Sequence, residues 1–383
     1  MQEDFHYYAT YCAAYLAGYS HEESLDVCYS AQFVDLCSRT LLAKLKAPLS
    51  AATTQLQLEL MDANTDLLGL QDITRIWASF HFLPRDLYAM KKGRNKAYRS
   101  KYNLICGPNG ELAGETVRLA KNKSLQAVGI AMHIIADTWA HTYFAGTPSL
   151  VINNTNFYFY EILPDCERKI TFIHSTSKPD DFEKSIYTCS LYQSSEHSIM
   201  NLGHGRAGHL PDYSFIRYKY LPAWYDYEEI IKDNPSDYYY AFCQMVYAME
   251  YLRGVRSEFE TEQYAFDTVS PYRDRIKAIL EKRQHSASAD WASFGKELSG
   301  CEIPDFDTEK YQREYTEASD KNSTFIGKFI LGALSQKSMV TNRIFSSGNL
   351  LAGFSVDFEK KGFMGIKDFK MLIGQGEKET EHD

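Results

Sequence analysis

Residues 133–141 read His-Ile-Ile-Ala-Asp-Thr-Trp-Ala-His, so His133, Asp137 and His141 recur every four residues. At about 100° per residue that spacing drifts only about 40° per step. All three side chains therefore share one helix face, each a turn from the next. The rest of the segment is apolar, with Val128, Ile130, Ala131, Ile134, Ile135 and Trp139 around them. A helix that is apolar all round is a buried helix. Burying a carboxylate beside two imidazoles is costly unless a positive charge sits among them. The cheapest resolution is a metal ion, and paired histidines one turn apart serve the same purpose in H-E-x-x-H helices.

A second segment, Gly203-His204-Gly205-Arg206-Ala207-Gly208-His209-Leu210-Pro211-Asp212, carries more ligand-type residues. Its glycines allow sharp turns and close backbone approach, which suits a loop folded over an ion. His209 and Asp212 read as a ligand pair. His204 reads as another ligand or as a contact to substrate phosphate. Three further polar residues stand in apolar runs: His6 in DFHYY, Asp35 between Phe33 and Cys37 on the apolar stripe of its helix, and His81 just before Pro84. Each alone fits an ordinary core position. Beside the helix triad they read as one set: His6, Asp35, His81, His133, Asp137, His141, His204, His209 and Asp212. His21, His174, His197, His285 and His382 lie in polar or loop-like stretches and are left out.

The formal charge of −9 disfavours a broad basic face for duplex DNA. It leaves phosphate substrates open, because bound divalent cations reverse the sign of a site locally. The eight cysteines contain no Cys-x-x-Cys pair, so they read as free thiols of a reducing compartment. The N-terminus shows no Sec-type signal, and the expectation is a cytoplasmic protein or one exported without a cleaved signal. No run of 18 apolar residues is present, so no transmembrane helix is expected.

The order of elements reads as mainly α, a helical bundle with long loops. Ser20 with Glu23 forms a capping box for a helix from residue 21. Thr53–Ala63 partly alternates and could be a strand, and Ile73–Pro84 is a buried apolar stretch. The basic run Lys91, Lys92, Arg94, Lys96, Arg99, Lys101 reads as a solvated loop or a contact to anionic lipid or phosphate. A long helix is expected from Gly114 or Ser124 to Phe144, and residues 147–235 read as loops and short hairpins wrapping a site. Helices follow at about 235–254, 271–286 and 288–298. The Gly/Phe-rich segment beyond Phe325 is open to β structure. The expected organisation is a metal-dependent domain over 1–305, an appendage over 306–373 and a tail over 374–383.

As a set, DFHYY, HIIADTWAH and GHGRAGHLPD resemble the zinc-dependent phospholipase C and single-strand nuclease superfamily, and most closely the zinc metallophospholipase C family of bacteria and fungi. The resemblance spans roughly residues 1–255. It implies a largely helical fold with two or three zinc ions at the bottom of a cleft. By resemblance, Asp35, His81, His133 and Asp137 would hold one zinc, with Asp137 bridging to a second. His6 would ligate near the chain start, and His141, His209 and Asp212 would complete the remaining site. In that superfamily a processed N-terminal residue also ligates zinc through its amine and carbonyl; here Met1 precedes Gln2. Asp35 and Asp137 are the candidate catalytic residues, as groups that orient a water or take its proton.

The implied activity is zinc-dependent phosphodiester hydrolysis, foremost of phospholipid at a membrane surface. Asn156–Leu163 and Phe354–Ile373 are the candidate lipid-facing stretches, or else ordinary strands. The alternatives are a nuclease or phosphatase on single-stranded nucleic acid or nucleotides, and a non-catalytic metal-binding protein with saturated coordination. No stable nucleic-acid partner is expected.

Overall fold

The computed structural model describes residues 1–63, 67–89, 102–147, 155–173, 178–189, 205–225 and 228–352. A π-helical turn, Asp4–Ala9, runs into α1 (Thr10–Leu16). Helix α2 (His21–Phe33) starts at the capping box: the Ser20 hydroxyl accepts from Glu23 N, and the Glu23 carboxylate accepts from Ser20 N. Next come α3 (Arg39–Lys44), α4 (Gln57–Ala63) and α5 (Leu67–Phe80). After them come α6 (Glu111–Ala120) and α7 (Leu125–Ala140), the latter capped by Ser124. The later helices include α8 (Asn234–Leu252), α9 (Arg273–Glu281), α10 (Ser288–Ser299) and α11 (Phe325–Ser346).

Helix α7 is the axis of the body. Every residue from Val128 to Ala140 is buried, and α2, α5, α6, α8 and α11 pack around it. Its closest approach is to α2. A Cβ on Gly129 would lie 2.5 Å from Ser30 Cβ and closer still to Val27 O, so only glycine allows this spacing. The Ser30 hydroxyl, which donates to Gln126 O at 2.8 Å, ties the two helices at the same level.

The architecture is mixed α/β and corrects the expectation of a mainly α bundle. Strands β1 (Thr155–Ile162), β2 (Glu167–Lys169), β5 (Arg217–Pro222) and β6 (Ile230–Asp233) form an antiparallel sheet in the order β2-β1-β5-β6. Strands β3 (Thr171–Ile173) and β4 (Ile186–Thr188) form a parallel pair. The reason is visible in β1 and β5. Both are rich in aromatic residues, and Phe159, Tyr218 and Tyr220 pack with Phe144 into a second core beside the helical one. Asn156–Leu163, a candidate lipid-facing stretch, largely coincides with β1 and so belongs to this sheet.

Three further readings are resolved. Residues 57–63 are helix, not strand, with the Glu59 carboxylate accepting from Leu56 N and from Thr40. Of the two starts offered for the long helix, Ser124 is the one used: it caps α7, which ends at Ala140, and Gly114 lies in the separate helix α6. The segment from Phe325, open to β structure on its composition, is the long helix α11. Phe325, Ile326, Phe329, Ile330, Ala333, Val340 and Ile344 recur at helical spacing and bury against α5, α6 and α7. The stretch Phe354–Ile373, the tail and the basic run Lys91–Lys101 lie outside the described residues. No described helix is long and apolar enough to cross a membrane.

Candidate metal centre

Element ends converge on one face of α7. The helix itself presents His133 and Asp137 and closes on His141, whose N–H donates to Asp137 O at 2.9 Å. Asp35 follows the end of α2, in a turn rather than on the helical stripe expected for it. His81 follows the end of α5, where its N–H donates to Trp77 O. His6 comes from the buried π-helical turn, and Asp212 closes the short 3-10 turn Leu210–Asp212.

Asp137 stands at the centre, and its two oxygens face different neighbours. Oδ1 lies 2.8 Å from the Met1 amine and 3.2 Å from His6 Nε2. Oδ2 lies 3.2 Å from both His81 Nδ1 and His133 Nε2. Asp35 Oδ1 is 3.8 Å from His81 Nδ1 and 3.9 Å from His133 Nε2. His141 reaches two carboxylates, with Nδ1 3.6 Å from Asp137 Oδ2 and Nε2 3.6 Å from Asp212 Oδ1. The Met1 amine is also 3.3 Å from Asp212 Oδ1. His6 and His133 stack with ring centroids 3.8 Å apart.

Three imidazoles are held by backbone carbonyls. His133 Nδ1 is 2.9 Å from Ala31 O, His81 Nε2 is 3.0 Å from Thr53 O, and His141 Nδ1 is 2.7 Å from His81 O. A neutral imidazole has a single N–H. Donating it to a carbonyl turns the other nitrogen, as a lone pair, toward the carboxylates, the usual arrangement behind a metal-ligating histidine. His133 Nε2 and His81 Nδ1 then face each other at 3.3 Å, with Asp137 Oδ2 beside both.

The electrostatics point the same way. Burial lowers His6 and His133 to about 4, which keeps both rings neutral near pH 7. Burial also works against the Asp137 charge. The neighbouring His141, the Met1 amine, His133 and His6 outweigh it and hold that carboxyl well below the usual range. Burial raises the Asp35 carboxyl, with His6 and His81 pulling it back. Burial opposes charge on the Met1 amine too, yet Asp137 and Asp212 raise it to about 11. The Met1 ammonium can offset only one of the three carboxylates gathered here, Asp35, Asp137 and Asp212, which leaves a surplus of negative charge when all three are ionised. That surplus is expensive in a buried setting.

Two groups have their ligand atoms within 4.8 Å of one another: His6 with His133 and Asp137, and Asp35 with His81 and His133. These buried groups could hold a metal ion. His141 and Asp212 continue the cluster toward the 205–212 segment. His209 sits on its rim, with Nδ1 3.5 Å from Asp212 Oδ2 and 54% of its side chain exposed. Its hydrogen bond to Asp212 raises its pKa. Gly208, at φ +56°, places this turn against Thr188 O of β4 so closely that a side chain would collide. His204 lies outside the described residues. Residue pattern carried no signal for the three backbone carbonyls, since any residue supplies one and only the tertiary fold aims it. The Met1 nitrogen had only the resemblance to point to it.

The model of the Family of unknown function (DUF6765) matches residues 1–344. No curated protein and no solved structure matches the chain. A match over so much of the sequence places the chain in the DUF6765 family, a family of unknown function.

Proposed function

We propose that this chain is a zinc-dependent phosphodiesterase, most specifically a phospholipase C-type enzyme releasing diacylglycerol and a phosphorylated headgroup. One observation carries the metal half of the reading: Asp137, ionised and buried, is bracketed on both oxygens by imidazole nitrogens. Lone pairs facing a carboxylate at 3.2 Å repel unless cations lie between them. Neutral histidines and carboxylates suit zinc among the common ions. The phosphoester half rests on the resemblance of the three motifs and on the shared carboxylate, an arrangement that suits two closely spaced ions.

Zinc bound here would polarise a phosphoryl oxygen and make a bound water acidic near neutral pH. The protein's own part is division of labour around that chemistry. Asp137 would hold the two positions at a constant separation. Asp35 would take the proton of the attacking water, a role supported by a carboxyl raised by burial and by the 31% of its side chain that still meets solvent at the edge of the cluster. Water oxygen bonds to phosphorus, the bond to the glycerol oxygen breaks, and that oxygen leaves with a proton as the alcohol. His81 and His133 cannot swing, because each is pinned through its far nitrogen.

The test is elemental analysis of protein produced with ample zinc. Assays on phosphatidylcholine, phosphatidylglycerol and single-stranded DNA follow, each with a chelator control. The expected result is two or more zinc ions per chain and chelator-sensitive release of diacylglycerol. Less than one transition metal per chain sinks the metal reading. Cleavage of DNA but not lipid replaces the substrate, and full zinc occupancy with no turnover on any substrate favours a binding or structural role.

A further inference from the structure

Helices α6, α7 and α11 enclose a groove of about 290 Å³, and no residue of the metal centre lines it. Its walls are largely apolar, built from Leu119, Ala127, Ile130, Ala131 and Leu331. Leu331, although a large apolar side chain, is 50% exposed. The two long helices meet beneath the groove: a Cβ on Gly332 of α11 would lie 3.0 Å from Ile130 Cδ1 and 3.5 Å from Ala127 Cα of α7. One turn further along α11, Gln336 closes one end. Its Nε2 donates to Thr116 Oγ1 at 2.9 Å and to Ser79 O at 3.3 Å.

The charged side chains of the lining are Lys123 and Lys328, with no acid among them. Lys328 stands four residues before Gly332, and Lys123 four before Ala127. Each is therefore a turn back from the helix contact, toward the starts of α7 and α11 and away from Gln336. Among the described residues neither lysine forms an ion pair. Asp26 of α2 feels the Lys328 charge, but it is not on the wall and accepts from Tyr311 OH at 3.0 Å. The groove thus has an apolar length and a cationic end, the complement of an amphiphile with one tail and an anionic head. Its volume is close to the lower end of the roughly 300–1,000 Å³ usual for small-molecule sites. It is less than the volume of one turn of a helix about 10 Å across, so a partner helix does not seat in it.

We propose that this groove is a binding site for a free fatty acid, with the acyl chain along Ala127, Ile130 and Leu331 and the carboxylate at Lys123 and Lys328. The inference stands apart from the phosphodiesterase reading, because it uses none of the metal-centre residues and is read without turnover.

Calorimetric titration of the full chain with decanoate, octanoate, 1-octanol and acetate tests it. Two further buried methylenes should make decanoate bind roughly tenfold more tightly than octanoate. Octanoate should bind several-fold more tightly than 1-octanol at low ionic strength, a margin that added salt shrinks. Acetate, which reaches a metal ion as easily but has no chain, should give no heat. Lys328 is exposed, so Lys328→Glu should leave the melting temperature unchanged and remove the preference for octanoate over 1-octanol. Leu331→Ser should weaken both ligands alike. No saturable heat from decanoate at millimolar concentration would overturn the proposal. So would equal affinity for octanoate and 1-octanol, or full octanoate affinity in the folded Lys328→Glu variant. Binding to vesicles of anionic phospholipid without binding to decanoate would make this face a membrane contact and overturn it too.

Discussion

The two sides of the candidate metal centre are built differently. On the helical side, His6, His81, His133 and Asp137 are buried, and His81 and His133 are also anchored by carbonyls of neighbouring segments. On the side facing the sheet, Asp212 and His209 come from a short 3-10 turn between glycines and a strand, and His209 is more than half exposed. Rigid, desolvated donors give high affinity because little must be ordered when the ion binds. Donors on an exposed turn cost more to immobilise but can adjust. On the proposed reading, α7 and its neighbours would hold the metal, and the 205–212 turn would accommodate exchangeable ligands.

The largest test of that division is Asp137→Asn. The amide keeps the shape but loses the charge that the surrounding nitrogens share. Metal content should fall by at least one ion per chain, and activity by on the order of a thousandfold, comparable to losing a major electrostatic element of a site. Elemental analysis beside a phosphodiesterase assay reads both; full metal and full activity would contradict the shared role.

Gly129→Val asks whether the helical side is rigid because of packing. The new side chain would strike Val27 O and Ser30 of α2. Overpacking of this kind costs about 1–3 kcal/mol. The wedge sits one turn before His133, so it should also stretch the bond between His133 Nδ1 and Ala31 O. Weakened zinc affinity together with a lower melting temperature is the expected pair. A lower melting temperature with unchanged affinity would show that α2 does not position the histidine.

Much of the helical side was legible in the chain. Four-residue spacing on an apolar background marked His133, Asp137 and His141, and the capping box at Ser20 marked the start of α2. Single polar residues in apolar runs drew attention to His6, Asp35 and His81, though nothing in their spacing showed that a π-helical turn and two helix ends meet there. The sheet side was harder. Strands β2, β3 and β4 are three residues each, too short for alternation to show. The pairing of β1 with β5 and of β3 with β4 is longer-range, and the aromatic residues of these strands fit hairpins or loops equally well. Helix α11 was missed for the opposite reason: its Gly- and Phe-rich composition left it open to β structure, but Thr324 caps the helix and tertiary packing outweighs a cost of about 1 kcal/mol for each glycine inside it.

Acid should expose the buried histidines. His6 and His133 titrate near 4 in the folded chain and near 6.5 when unfolded. Folded pKa values below the unfolded ones mean that the unfolded chain binds more protons between those limits. Stability is therefore complete above pH 6.5 and is lost as pH falls toward 4. For chelator-treated protein, the loss should reach a few kcal/mol across that window. Thermal melts of the treated protein from pH 7.5 to 4.5 read it. A flat profile would mean that the two rings are not buried as neutral groups.

The smallest effect should come from His209→Ala. Its ring is exposed and, among the described residues, meets the cluster through Asp212, at 3.5 Å. Removing it deletes little buried area, so the melting temperature should move by no more than about 0.5 kcal/mol of stability allows. Metal affinity should fall by about tenfold at most if the ring orients Asp212 from behind. Substrate KM is the more sensitive readout, since a group on the rim meets the substrate before the buried donors do. If His209→Ala instead strips a full equivalent of metal, the ring is a ligand in its own right. The turn would then belong to the holding side of the centre, and the division drawn between the two halves would fail at that residue.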